Sequence, residues 1–115
     1  MRFIVIIALA LLLAPCAAQA HAQLDHASPK VGSTVAAPKE VVLWFTEGVE
    51  PKFSSVEVVN DKGEQVQAGK ARLMGSAALR VPLKPLSPGT YQVIWKVLSV
   101  DTHRTQGSFS FTVGR

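Results

Sequence analysis

Cysteine is all but absent. The one thiol, Cys16, falls within the first twenty of 115 residues. Nothing beyond that point can form a disulfide, and no cysteine nucleophile is available there. Methionine is nearly as scarce, with only Met1 and Met74. Catalytic signatures are missing too. There is no G-x-S-x-G elbow, no Gly-rich phosphate loop and no H-E-x-x-H zinc motif. No pattern pairs Ser28, Ser33 or Ser76 with a base, and Glu47, Glu50 and Glu57 are spaced like solvated strand and loop carboxylates. Charge runs are absent as well. Twelve Lys and Arg face eight Asp and Glu, a formal +4. These cations are scattered from Arg2 to Arg115 with no aromatic interleaving, so nucleic-acid binding gains no support.

The one long apolar run, Phe3–Ala14, follows the cationic Arg2 and precedes Ala18-Gln19-Ala20. This is the pattern of a signal peptide, with small residues at the positions that a signal peptidase reads. The run is shorter than the roughly 20 apolar residues of a spanning helix. Pro15 before Cys16 is a poor residue at a lipoprotein cleavage junction. The expected organisation is therefore a signal peptide over 1–20, cleavage after Ala20, and one domain over 21–115 that starts at His21. That domain is expected to have no membrane span and to hold together by its core alone.

Strand patterns fill the rest. In "SSVEVVN" Val56 and Val58 share one side and Glu57 takes the other. "AALRVPL" alternates through Leu79, Val81 and Leu83, "GTYQVIWKVLSV" through Tyr91, Val93, Trp95 and Val97, and "GSFSFTV" through Phe109, Phe111 and Val113. Period-two alternation marks strands with one buried face. "EVVLWFTE" is β-branched and aromatic, and Asp61-Lys62-Gly63 reads as a turn. The expected fold is all-β, a Greek-key sandwich or barrel of immunoglobulin-like form with about seven strands. Trp44, Phe45, Val58, Tyr91, Trp95, Phe109 and Phe111 are the expected core.

The chemistry-bearing residues are few: His21, His26, Asp101 and His103, with Glu47 as a further candidate. Asp101 and His103 are two apart, so an extended chain would point both to one side. D-x-H alone is a weak signal and fits a turn-end aspartate beside a surface histidine better than a site. Cleavage after Ala20 changes His21, because a free α-amine can yield its proton to a metal near neutral pH. The amine and Nδ1 of one histidine then close a chelate ring, which no interior histidine can do. Adding the His103 imidazole and an Asp101 oxygen gives three nitrogens and one carboxylate oxygen. Tetragonal N,O coordination favours Cu(II), which heads the divalent affinity order; a Cu(I) store or a blue-copper centre would need sulfur that the domain lacks.

Four stretches carry a family resemblance across the whole domain: "HAQLDHASP" after the leader, "APKEVVLWFTEGVE" (Ala37–Glu50), "PLSPGTYQVIWKVLSVDTH" (Pro85–His103) and "GSFSFTV". In this order they resemble the CopC/PcoC-type periplasmic copper-resistance proteins, small YobA-like members included. The resemblance implies a Greek-key β-sandwich similar to cupredoxins, a periplasmic location, and import or sequestration of copper, often with an inner-membrane partner of the CopD type. It implies Cu(II) ligation by the amine and imidazole of His21, the His103 imidazole and the Asp101 carboxylate. Glu47, in the motif F-[ST]-E-x-[VL], would be a hydrogen-bond partner of the site rather than a ligand.

Two departures stand out. The Met-rich segment of many relatives is represented by Met74 alone, and Gln23 replaces the second histidine of the H-A-H start. His26 fits a strand histidine with a structural hydrogen bond, or an auxiliary metal contact. The reading is a non-enzymatic, monomeric Cu(II) carrier or buffer. Its alternatives are a metal-free immunoglobulin-like interaction module and a histidine-brace copper mono-oxygenase. Against the latter, Asp101 would fill coordination space and the chain is short for a polysaccharide platform.

Overall fold

Alternating side chains divide the longer strands of the chain between a core face and an outer face. A computed structural model describes residues 22–115; the expected leader and His21 lie outside the described residues. The strands are β1 (Leu24–Ser28), β2 (Thr34–Val35), β3 (Glu40–Phe45), β4 (Ser55–Val59), β5 (Arg72–Leu73), β6 (Ala78–Pro82), β7 (Gly89–Leu98) and β8 (Arg104–Val113). There are eight rather than about seven, because β2 and β5 are two-residue strands with too little pattern to show in sequence. The only helical element among the described residues is a single 3-10 turn, Pro51–Phe53, so none is long and apolar enough to cross a membrane.

Two four-stranded sheets form, in the orders β1-β3-β6-β5 and β2-β8-β7-β4. All pairings are antiparallel except β2 with β8. The inner faces meet in one core. Val41, Leu43 and Phe45 of β3 and Leu79 and Val81 of β6 face Val56, Val58, Tyr91, Val93, Trp95, Val97, Phe109, Phe111 and Val113. Each large side chain buried in this way stabilises the fold by about 1.5–3 kcal/mol relative to exposure.

One expected core residue is elsewhere. Phe45 points inward, so its strand neighbour Trp44 points outward, as the period of two requires. Trp44 is half-buried on the outer face and stacks on His26 of β1, with ring centroids 4.4 Å apart and planes 8° apart. The turn expected at Asp61-Lys62-Gly63 is present. Asn60 Oδ1 accepts from the backbone N–H of Lys62 and of Glu64, both at 2.9 Å.

The β7–β8 hairpin matters most for the site. Its register runs unbroken from Gly89↔Val113 to Leu98↔Arg104, and residues 99–103 close it. Near this end the Trp95 indole lies across Gly107. A Cβ on Gly107 would sit 2.6 Å from Trp95 Cζ2, so the close approach of ring and backbone requires glycine there.

Candidate metal centre

The hairpin tip carries Asp101 and His103. Of the two local conformations that the D-x-H spacing allows, extended or turn-end, the tip takes the turn. Ser99 N–H donates to the His103 carbonyl at 2.9 Å, Thr102 N–H donates to the Ser99 carbonyl at 2.8 Å, and Thr102 takes φ of 73°. The turn still brings the pair together. His103 Nδ1 lies 3.3 Å from Asp101 Oδ1, and the His103 backbone N–H donates to the same oxygen at 3.4 Å. The two side chains are 56% and 34% exposed, so an ion in solvent can reach both.

Ser99 stands under this pair. Its hydroxyl donates to Asp101 Oδ1, and its oxygen accepts from the His103 N–H at 3.3 Å. The Ser99 hydrogen bond is the main force holding the Asp101 carboxyl below its ordinary value. Desolvation opposes it, and hydrogen bonds and charge from His103 add to it. Among the described residues Ser99 is the one buried polar side chain, 1% exposed. Ser99 is not among the chemistry-bearing residues expected from the sequence, although the sequence carries a signal for it. Position 99 continues the inward phase of Tyr91, Val93, Trp95 and Val97, where a polar residue is out of place.

Two other segments converge on the tip. Thr105 Oγ1, two residues beyond His103, donates to the Ala22 carbonyl at 2.7 Å. Gln23 N–H donates to Thr46 Oγ1 at 3.0 Å, and Thr46 N–H returns to the Gln23 carbonyl at 2.8 Å. The loop that follows β3 is tied down as well. Val100 N–H donates to the Gly48 carbonyl at 3.0 Å, Glu50 N–H donates to the Leu98 carbonyl at 2.8 Å, and Val49 bridges Ser99. Glu47, half-buried, is therefore held between two anchored neighbours, Thr46 and Gly48.

His26 does not join this group in any contact. It lies on β1 with its ring against Trp44 and its Nδ1 2.7 Å from Asp25 Oδ2. Among the described residues no three His, Cys, Asp or Glu side chains come together. Asp101 and His103 are a pair, and the third expected member, His21, lies outside the described residues.

Fold and site define a class: a small two-sheet β-sandwich that presents an Asp–His pair on the tip of its longest hairpin, with the start of the described chain pinned alongside. The family model for the CopC domain matches residues 24–114, and the chain belongs to the CopC family. It is 42% identical over 98 residues to Protein YobA of Escherichia coli (strain K12), covering 82% of this chain and 79% of that one. It is 38% identical over 109 residues to Copper resistance protein C of Xanthomonas campestris pv. juglandis, covering 88% and 86%. Its fold is similar to the crystal structure of CopC from Methylosinus trichosporium OB3b, with a TM-score of 0.77 and 37% identity over 82% of this chain and 94% of the other.

Proposed function

We propose that this chain is a periplasmic Cu(II)-binding protein, a carrier or buffer that holds one ion per chain. The ligands are the α-amine and imidazole of His21, freed by cleavage after Ala20, with the His103 imidazole and the Asp101 carboxylate. The observation that carries this reading is the hydrogen bond from Thr105 to Ala22, 83 positions apart in sequence. Ala22, the first described residue, is thereby fixed beside the strand that leaves His103, which supports a ligand role for the residue that precedes it. Three nitrogens and a carboxylate oxygen are a donor set suited to Cu(II).

Glu47 orders the site by hydrogen bonding rather than by ligation, and His26, committed to Trp44 and Asp25, stays outside it. The monomer delivers its ion to, or receives it from, an inner-membrane partner of the CopD type, and no chemistry is done on the way. Membership in a family whose relatives bear the name copper resistance protein supports the choice of metal.

Titrating the protein that starts at His21 with Cu(II), against a competing chromophoric chelator, tests the reading. One equivalent should bind tightly. His103→Ala should weaken it strongly and His26→Ala should not. Acid should release the ion, since amine and imidazole must be deprotonated to ligate. Absence of any uptake would favour a metal-free interaction module instead.

A further inference from the structure

The buried hydroxyl of Ser99 has no partner in the core around it. A hydroxyl taken out of water costs free energy unless it is hydrogen-bonded. Ser99 meets that requirement wholly within the turn: Asp101 Oδ1, the His103 N–H and, at 3.1 Å, the His103 carbonyl. Its own backbone is fixed from both sides, by the N–H bond to His103 and by the bridge to Val49. One end of the serine thus belongs to the rigid end of β7 and the other to both members of the exposed pair.

We infer that Ser99 is the positioning residue of the copper site: it selects the side-chain rotamer of Asp101 and the closed form of the 99–103 turn, so that the Asp101 oxygen and the His103 imidazole are presented as a preformed pair. The inference rests on the copper reading above. Ser99 is not itself a ligand. Its oxygen is buried beneath the pair, and its hydrogen-bonding capacity is spent on them. Without it, nothing else among the described side chains donates to Asp101 except His103, which must itself turn to the metal. The carboxylate would then sample several rotamers and the ion would have to select one on binding. Hydrogen-bond partners that orient metal ligands typically change metal affinity by about 10–100-fold when removed.

The experiment uses the protein starting at His21, with Cu(II) as the probe. Affinity is read by chelator competition, ligand geometry by the electron paramagnetic resonance spectrum of bound Cu(II), and folding by thermal melting. Ser99→Ala should bind about 10–100-fold more weakly, with an altered copper spectrum. Ser99→Thr, which keeps the hydroxyl, should restore affinity and spectrum. In a double-mutant cycle, Ser99→Ala should cost little further affinity once Asp101→Ala is present, because the serine acts through that carboxylate.

Wild-type affinity and spectrum in Ser99→Ala, with only a lowered melting temperature, would assign the serine to stability and overturn the inference. So would a folded Ser99→Thr that loses as much affinity as the alanine variant. Should Ser99→Ala fail to fold, Ser99→Cys, similar in size with a thiol that is only a weak donor, takes its place in the affinity, spectral and cycle measurements under the same criteria. The copper reading fails separately, if His103→Ala binds Cu(II) as tightly as the unaltered protein.

Discussion

Replacing Thr105 by valine keeps the branched shape and deletes one hydroxyl, the one that donates to the Ala22 carbonyl at 2.7 Å. Ala22 is fully buried, so its carbonyl cannot turn to solvent as a substitute. A neutral hydrogen bond contributes about 0.5–1.5 kcal/mol, and an orphaned buried acceptor raises the loss towards about 3 kcal/mol. The larger consequence concerns copper. With the anchor gone, the segment before Gln23 regains backbone freedom, and re-fixing one residue costs about 1–2 kcal/mol. An ion that must supply this on binding is held about tenfold less tightly, since about 1.4 kcal/mol is a factor of ten. Chelator competition on the protein starting at His21 measures the dissociation constant, and urea unfolding of the metal-free form measures the fold. Thr105→Val should raise the dissociation constant about tenfold, while Thr105→Ser, which keeps the hydroxyl, should leave it near the wild-type value. A Thr105→Val protein with a lower urea midpoint but unchanged copper affinity would refute the reasoning. The anchor would then serve the fold and not the position of residue 21.

Gly107→Ala should destabilise the fold by about 1–3 kcal/mol, the usual cost of overpacking. The new Cβ would lie 2.6 Å from Trp95 Cζ2 and 2.9 Å from Cε2, and that indole is already wedged edge-on against Phe45 at 5.2 Å. Urea midpoints measure the loss, and Trp95→Phe in the same chain should recover part of it. Asp101 supplies a prediction in pH. Its carboxyl is held below the ordinary value in the fold, so its charged-state stabilisation is complete above the unfolded value of about 3.9 and is lost as pH falls through the lower folded value. Metal-free wild type should be more stable than Asp101→Asn at neutral pH, and the gap should close on acidification below about pH 4. A gap that widens in acid would contradict the hydrogen bonding described at the tip.

The strands were legible because burial imposes a period of two, and β4, β7 and β8 display it without interruption, while β6 breaks it only at the adjoining buried pair Ala78 and Leu79. The β3 segment was harder. "VVLWF" is apolar on both faces, and only the structure separates inward Phe45 from outward Trp44. The spacing of Asp101 and His103 allowed either an extended segment or a turn-end aspartate beside a histidine; a turn with a left-handed Thr102 is what brings the two side chains together. Thr105 and Thr46 could not have been found from sequence. A threonine at a strand end is commonplace, and its role arises only when a residue far along the chain arrives beside it. Ser99 lies between these cases. Its phase on β7 was visible, but what it touches depended on the turn.

The proposed copper site depends on a nitrogen that cleavage must expose. The most direct test compares Cu(II) affinity of the protein that starts at His21 with the same protein carrying one additional glycine before it. The addition converts the α-amine of His21 into an amide and leaves Asp101, His103 and every side chain of the fold in place. Much weaker binding by the extended protein, with a changed copper spectrum, is the predicted result. Equal affinity and an identical spectrum would contradict the N-terminal chelate and, with it, the copper site proposed for this chain.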